Sequence, residues 1–239
     1  MGISLVPLAA ITPISARVVR ILGMNPGRFT LQGTNTYLVG TGATRVLIDT
    51  GAGHAAYVPL LRQAMQDHGI AAVSAIVCTH WHYDHVRGVP AVLEALAATA
   101  PPQTPPPTLW KYPRSPALDA HLPCAFAPLR DGQRLTTEGA SLRVIHLPGH
   151  TSDHVCLQLE ETGDVFSGDL VLGQGTAAFE DLTQTVASLT YLRDTLLPPK
   201  QGVRRLFPGH GPVVEDGHAA ADMYLRHRAR REAALVQLL

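Results

Sequence analysis

Residues 80–85 of this chain carry four metal-ligating side chains. The segment Thr79-His80-Trp81-His82-Tyr83-Asp84-His85 sets two imidazoles two positions apart, then adds a carboxylate and a third imidazole. The preceding Ala75–Cys78 is a short β-prone run. In an extended chain residues i and i+2 face one side, so His80 and His82 can reach the same ion. Asp84 and His85 fall where the chain should leave the strand, and a turn there aims them at a second point. Neutral imidazoles and a carboxylate are ligands suited to zinc.

Three more ligand types end short apolar runs, and each follows a glycine: His150 in Pro148-Gly149-His150, Asp169 in Ser167-Gly168-Asp169, and His210 in Pro208-Gly209-His210. Glycine permits the tight turn that points the next side chain into a site at a sheet edge. The inventory accommodates two ions per chain. His80, His82 and His150 are assigned to one, Asp84, His85 and His210 to the other, and Asp169 to a position between them. Three nitrogens leave a zinc coordination position open for water. A water shared by two ions ionises near neutral pH and attacks an electrophile. Asp84 is the candidate catalytic residue, orienting that water or accepting its proton. His154, one strand step beyond the His150 loop, is a candidate contact for substrate or for a ligand. His54, His68, His121, His146, His218 and His227 read as surface or packing residues.

The elements that must position these groups are short. Thr36–Val39 and Arg45–Ile48 read as neighbouring strands, Leu142–Ile145 and Val165–Ser167 as two more, and Leu206-Phe207 as another. Helical patterns cover Pro59–His68, Pro90–Ala98, Val186–Leu196 and a C-terminal stretch from Gly217 that includes Leu235 and Leu238. The PPQTPPP run at 101–107 is a loop, and prolines at 113, 116, 123 and 128 keep that region irregular. The alternation fits an α+β fold of two mixed sheets with helices outside, in a single domain over residues 1–239.

Bulk properties narrow the options. The 239 residues suffice to bury a substantial core, and no apolar stretch has the length of a membrane span. Lys+Arg and Asp+Glu are equal at 19, so net charge offers no argument for nucleic acid or a membrane surface. Cys78, Cys124 and Cys156 are odd in number and form no CxxC pair, which points to a reducing, intracellular compartment. The N-terminus lacks a basic region ahead of its apolar part and is a poor export signal, which argues against a secreted β-lactamase.

The HxHxDH segment with later His, Asp and His resembles the metallo-β-lactamase superfamily over nearly the whole chain. The resemblance implies an αββα sandwich, places all seven residues at ligand positions, and makes Asp49 of Asp49-Thr50-Gly51 a support behind the ligands. Asn25-Pro26-Gly27, Thr30-Leu31-Gln32-Gly33-Thr34-Asn35-Thr36-Tyr37, Gly149-His150-Thr151-Ser152-Asp153-His154, Phe179-Glu180-Asp181-Leu182 and His227-Arg228 with Arg231-Glu232 are similar to the beta-lactamase-like protein 2 family. That similarity implies a zinc-dependent endoribonuclease acting on single-stranded RNA, in the mitochondrial matrix or cytoplasm. Two features depart from the pattern. Arg87 stands where the superfamily motif carries Gly, with a changed helix entry expected, and the C-terminal helical extension common in the family is short or absent.

Two activities follow as expectations. Arg226, Arg228, Arg230 and Arg231, with Arg204-Arg205, can form a basic patch for RNA phosphates. Against that, Pro148-Gly149-His150-Thr151-Ser152-Asp153-His154 is also similar to glyoxalase II, which implies a thioester hydrolase acting on glutathione- or carrier-bound acyl groups. An iron-based oxygen-reducing role is disfavoured, because relatives of that kind carry a carboxylate in the place of His82.

Overall fold

The computed structural model describes residues 4–237. Seven strands form the first sheet in sequence order: β1 (Ile11–Ser15), β2 (Val18–Leu22), β3 (Asn35–Val39), β4 (Thr44–Ile48), β5 (Ala72–Cys78), β6 (Thr108–Lys111) and β7 (Ala127–Pro128). Pairing is antiparallel from β1 to β4 and parallel from β4 to β7. The second sheet holds β8 (Arg134–Thr137), β9 (Ala140–His146), β10 (Val155–Leu159), β11 (Val165–Gly168) and β12 (Leu206–Pro208) in the order β12-β11-β10-β9-β8. Only its β11–β12 pair is parallel.

Three apolar cores make four layers. Between the sheets, Tyr37, Val39, Ile48 and Val77 pack against Leu142, Val144, Leu157, Phe166 and Phe207. Outside the first sheet lie α1 (Tyr57–Asp67) and α3 (Val89–Thr99). In α1 the buried residues are Tyr57, Leu61, Ala64 and Met65, the i, i+4, i+7, i+8 stripe of an amphipathic helix. Outside the second sheet lie α5 (Leu182–Tyr191) and α6 (Gly217–Val236), joined into its core through Leu189, Ala221 and Tyr224. This is the α+β, αββα arrangement expected from the sequence, and no helix among the described residues is long and apolar enough to cross a membrane.

Several expectations are refined. The irregular region after residue 107 contains β6, the short helix α4 (Pro116–Asp119) and β7, because parallel pairing to β5 supplies the order that its prolines do not. The helix expected over Val186–Leu196 is α5 followed by a π turn at Leu192–Leu196. Leu238 lies outside the described residues. Cys78 and Cys156 are free and fully buried, as core packing predicts.

Candidate metal centre

The seven candidate ligands converge where the two sheets meet. β5 ends at Cys78 and delivers His80 and His82, after which a short helix, α2 (Tyr83–Val86), carries Asp84 and His85. The β9–β10 loop brings His150, the end of β11 brings Asp169, and the end of β12 brings His210. Parallel pairing of β11 with β12 sets the last two side by side. Two glycines are required by space here. A Cβ on Gly168 would stand 2.5 Å from His154 Nε2, and one on Gly209 would stand 2.2 Å from Asp169 Oδ1. Arg87 is exposed in ordinary right-handed helical backbone and is accommodated where the motif has Gly. Gly88 is the restricted position, since a Cβ there would meet Thr50 O at 2.0 Å.

Nitrogens and oxygens gather in two main groups, His80/His82/His150 and Asp84/His85/His210, each with ligand atoms within 4.8 Å of one another. His82 Nδ1 lies 3.0 Å from both His80 Nε2 and His150 Nε2. Asp169 faces both groups: its carboxylate is 3.6 Å from His150 Nε2, 3.6 Å from His85 Nε2 and 3.3 Å from His210 Nε2. His85 Nε2 and Asp169 Oδ1 are buried without a hydrogen-bond partner. Three imidazole nitrogens facing one another, and two buried polar atoms left without a partner, are costly unless a cation completes them. The donor set therefore fits a two-metal centre.

Electrostatics divide the side chains of the site in two. Burial, then the neighbouring His85, His150 and His82, holds His80 well below the ordinary imidazole range. Burial and His150 push His82 down to about 4. At the other end burial opposes the charge on His85, but Asp84, Asp49 and Asp169 outweigh it and raise its pKa. His210 rises to about 9, where Asp169 and Asp84 overcome burial. Burial likewise opposes ionisation of Asp84 and Asp169, yet the facing histidines hold both carboxyls below the usual range.

The supports are specific. Asp49 Oδ2 lies 2.8 Å from His85 Nδ1 and accepts from Thr79 Oγ1 at 2.9 Å, while its Oδ1 accepts from Thr79 N at 2.8 Å. Thr79 Oγ1 is also 3.0 Å from His80 Nδ1. His154 is fully buried; its Nε2 accepts from Asp169 N at 3.0 Å and its Nδ1 donates to Leu147 O at 3.2 Å. His154 thus holds the backbone of the candidate ligand Asp169. The Thr34-Asn35-Thr36-Tyr37 run has a role that sequence reasoning left blank. Thr34 Oγ1 donates to Asp84 Oδ2 at 3.1 Å, Asn35 Nδ2 donates to the Pro208 and Gly211 carbonyls, and Tyr37 Oη donates to Pro208 O at 2.6 Å. These bonds lock the His210 loop to the first sheet. A second omission is the buried pair Lys111 Nζ–Asp153 Oδ2 at 2.8 Å, with Thr151 Oγ1 donating to Asp153 Oδ1 at 2.7 Å beside His150. Lys111 and Asp153 are 42 positions apart, so no local pattern marks the pair.

A cavity of about 770 Å³ opens onto His82, Asp84, His150, Asp169 and His210 and is walled largely by Phe29, Leu31, Leu172, Ala177, Ala178 and Met223. His227, partly exposed, also lines it. The expected arginine patch is partly committed elsewhere. Arg226 pairs with Asp222, Arg228 is buried over the Phe179 ring and donates to Ala177 O, and Arg205 pairs with Asp164 at 2.9 Å.

Residues 29–210 match the family model described as the metallo-beta-lactamase superfamily. The chain belongs to this superfamily. It is 42% identical to the beta-lactamase-like protein 2 homolog of Drosophila melanogaster, over 96% of this chain and 76% of that protein. It is 39% identical to the atrochrysone carboxyl ACP thioesterase dmxR1 of Cryptosporiopsis sp., over 99% of this chain and 67% of that one. Among solved structures, the metallo-beta-lactamase superfamily chain is similar to TTHA1623 in a di-iron-bound form, at 31% identity and a TM-score of 0.61, over 82% of this chain and 94% of that one. Membership makes a hydrolase with metal sites the expected activity.

Proposed function

We propose that the chain is a binuclear zinc hydrolase of acyl thioesters. The observation that carries this reading is the largely apolar cavity lying directly against the candidate metal centre, with room for an acyl chain. The RNA reading draws on an arginine patch, and Arg205, Arg226 and Arg228 are held by partners within the chain. The thioesterase name borne by a relative at 39% identity supports the same choice.

His80, His82 and His150 would hold one ion, Asp84, His85 and His210 the other, and Asp169 both. When bound, the ions supply Lewis acidity and bring the pKa of water to about 7. Asp84, held ionised and aimed by the Thr34 hydroxyl, orients the attacking water by accepting its hydrogen bond. The acyl chain lies along Leu172, Ala177 and Met223, which exclude bulk water from the carbonyl. The leaving thiol has an ordinary pKa of about 8.5, so it departs as thiolate without a protein acid.

The test is turnover by zinc-loaded protein on an acyl thioester and on labelled single-stranded RNA in parallel, with His82→Ala as control. Metal-dependent thioester hydrolysis that is lost with His82→Ala is expected. RNA cleavage without thioester turnover would overturn the reading and restore the ribonuclease.

A further inference from the structure

Residues 23–34, which join β2 to β3, form one wall of the cavity and are held from within. Gly27 N donates to Leu31 O at 3.1 Å and Gly33 N to Thr30 O at 2.8 Å, so the loop closes on itself around a short tip. Met24 and Leu31 turn the chain with φ of 58° and 54°, a conformation that side-chain-bearing residues keep only where their surroundings hold them. Asn25 supplies that hold. Its Oδ1 accepts from Thr34 N at 2.9 Å, its Nδ2 donates to Thr34 Oγ1 at 3.0 Å, and its carbonyl accepts from Thr30 Oγ1 at 2.6 Å. Thr34 Oγ1 donates in turn to Asp84, which ties the loop to a candidate ligand. Gln32 Nε2 donates to Val6 O at 2.6 Å and Gln174 Nε2 to Ser4 O at 2.8 Å, so one N-terminal segment fastens this loop and the wall that contains Gln174.

The tip presents Arg28 and Phe29, both exposed and both lining the cavity. The Arg28 guanidinium lies over the Phe29 ring, 5.8 Å from its centroid. Among the described residues Arg28 is the one Arg or Lys that lines the cavity, and the acidic side chains there are Asp84 and Asp169, which already face histidines. Arg205 and Arg226 are neutralised by carboxylates, whereas no carboxylate among the described residues pairs with Arg28. A planar fork of donors takes two oxygens of a phosphate or carboxylate at once. The ring beneath it favours one orientation of that fork.

We propose that Arg28 is a specificity residue that binds an anionic group on the thiol half of the substrate, so that thioesters of phosphorylated or carboxylated thiols are preferred to those of neutral ones. This rests on the thioester reading above. With the acyl chain along Leu172, Ala177 and Met223, the wall that contains Arg28 falls to the half that leaves. The phosphate of a phosphopantetheine arm and the carboxylates of glutathione share the required chemistry.

The experiment uses two matched pairs of hexanoyl thioesters: phosphopantetheine against pantetheine, and glutathione against its diethyl ester. Adipoyl and hexanoyl N-acetylcysteamine thioesters form a third pair, with the anion on the acyl half. Zinc-loaded wild type, Arg28→Gln, Arg28→Lys and Arg28→Glu are compared by turnover, and binding of the non-hydrolysable thioether analogues is measured by calorimetry. Wild type is expected to favour the anionic member of at least one thiol pair by roughly fivefold or more, in kcat/KM and in Kd, with the ratio shrinking as salt is raised. Which pair responds identifies the group as phosphate or carboxylate. Arg28→Gln brings the ratio to about one, Arg28→Glu below one, and Arg28→Lys retains part of it because the charge stays while the fork is lost. Equal treatment of both thiol pairs by wild type overturns the proposal, as does an unchanged ratio in Arg28→Gln. An Arg28-dependent preference confined to the adipoyl pair also overturns it, since the anion would then belong to the acyl half. Absence of turnover on every thioester would defeat the thioester reading instead, and the calorimetric ratios still decide the role of Arg28.

Discussion

Replacing Asp49 by Asn should misprotonate a ligand in each half of the metal centre. Four groups share one hydrogen-bond chain. Thr79 N is a fixed donor to Asp49 Oδ1, and Asp49 Oδ2 accepts from both Thr79 Oγ1 and His85 Nδ1. With its hydrogen given to Asp49, Thr79 Oγ1 accepts from His80 Nδ1. One carboxylate therefore places a proton on Nδ1 of both His80 and His85, leaving both Nε2 lone pairs toward the centre. In Asp49→Asn the amide oxygen must stay on the fixed Thr79 N–H, so the NH2 group takes the place of Oδ2. It then donates to Thr79 Oγ1, whose hydrogen turns to His80 Nδ1, and His85 Nδ1 must also become an acceptor. Both rings move their protons to Nε2, where a metal must bind.

The loss of such a partner typically costs 10–100-fold in metal affinity per site, or about 1.4–2.7 kcal/mol. The assay is competition with a chromophoric zinc chelator at pH 7.5, with ring-nitrogen NMR reporting the tautomers of His80 and His85. Both affinities should fall while the fold persists, since Asn is isosteric with Asp. Two zinc ions bound within about twofold of wild-type affinity would refute the hydrogen-bond chain as the determinant of tautomer.

Gly209→Ala puts a methyl 2.2 Å from Asp169 Oδ1 and 3.0 Å from His85 Cε1, so the chain should fold but lose metal; elemental analysis finding two ions per chain would contradict this. His154→Leu strips a partner from Asp169 N–H and from Leu147 C=O. At about 1–3 kcal/mol for each unpaired group the melting temperature should fall by roughly 5 °C or more, and an unchanged melting temperature would sink that role. The metal-free protein should be most stable near pH 6.5. Below that, the unfolded chain protonates His82 and His154 while the folded chain resists until about 4 and about 3, so stability falls with pH. Above it, the folded chain keeps the His210 proton up to about 9 and the unfolded chain does not, so stability falls as pH rises. Urea denaturation in chelator at pH 4.5, 6.5 and 9 would show a flat or one-sided profile if these couplings were absent.

The candidate ligand set could be picked out in the sequence because its chemistry is local. His80, His82, Asp84 and His85 announce themselves by type and spacing, and each of His150, Asp169 and His210 by the glycine before it. The strands that carry them were legible where branched and apolar residues ran unbroken, as in β4 and β11. β1, β2, β8 and β10 were passed over, and β6 was hidden among prolines, since these gain their order from sheet partners distant in sequence. The same distance concealed Lys111, which meets Asp153 across 42 positions, and His227, whose place on the cavity wall depends on where α6 packs. The arginine cluster shows the converse error. Adjacent charges suggested a patch, but Arg226 and Arg228 point to different partners because neighbours on a helix face different ways.

Neither half of the centre belongs to one sheet. His80 and His82 follow the first sheet and meet His150 from the second; Asp84 and His85 follow the first and meet His210 from the second. The groups exist only while the sheets are packed, so metal binding and sheet packing are one equilibrium seen from two sides. The bonds between the sheets are correspondingly placed around the site. Val155 N donates to Thr79 O at 2.9 Å, Asn35 and Tyr37 hold the Pro208 carbonyl, and Lys111 holds Asp153. A buried ion pair is poor value as stabilisation alone, but breaking one by removing a single partner costs about 3–5 kcal/mol. Lys111–Asp153 therefore acts chiefly on geometry: it keeps the His150 loop at the first sheet before any ion arrives, so the ions meet ligands already gathered.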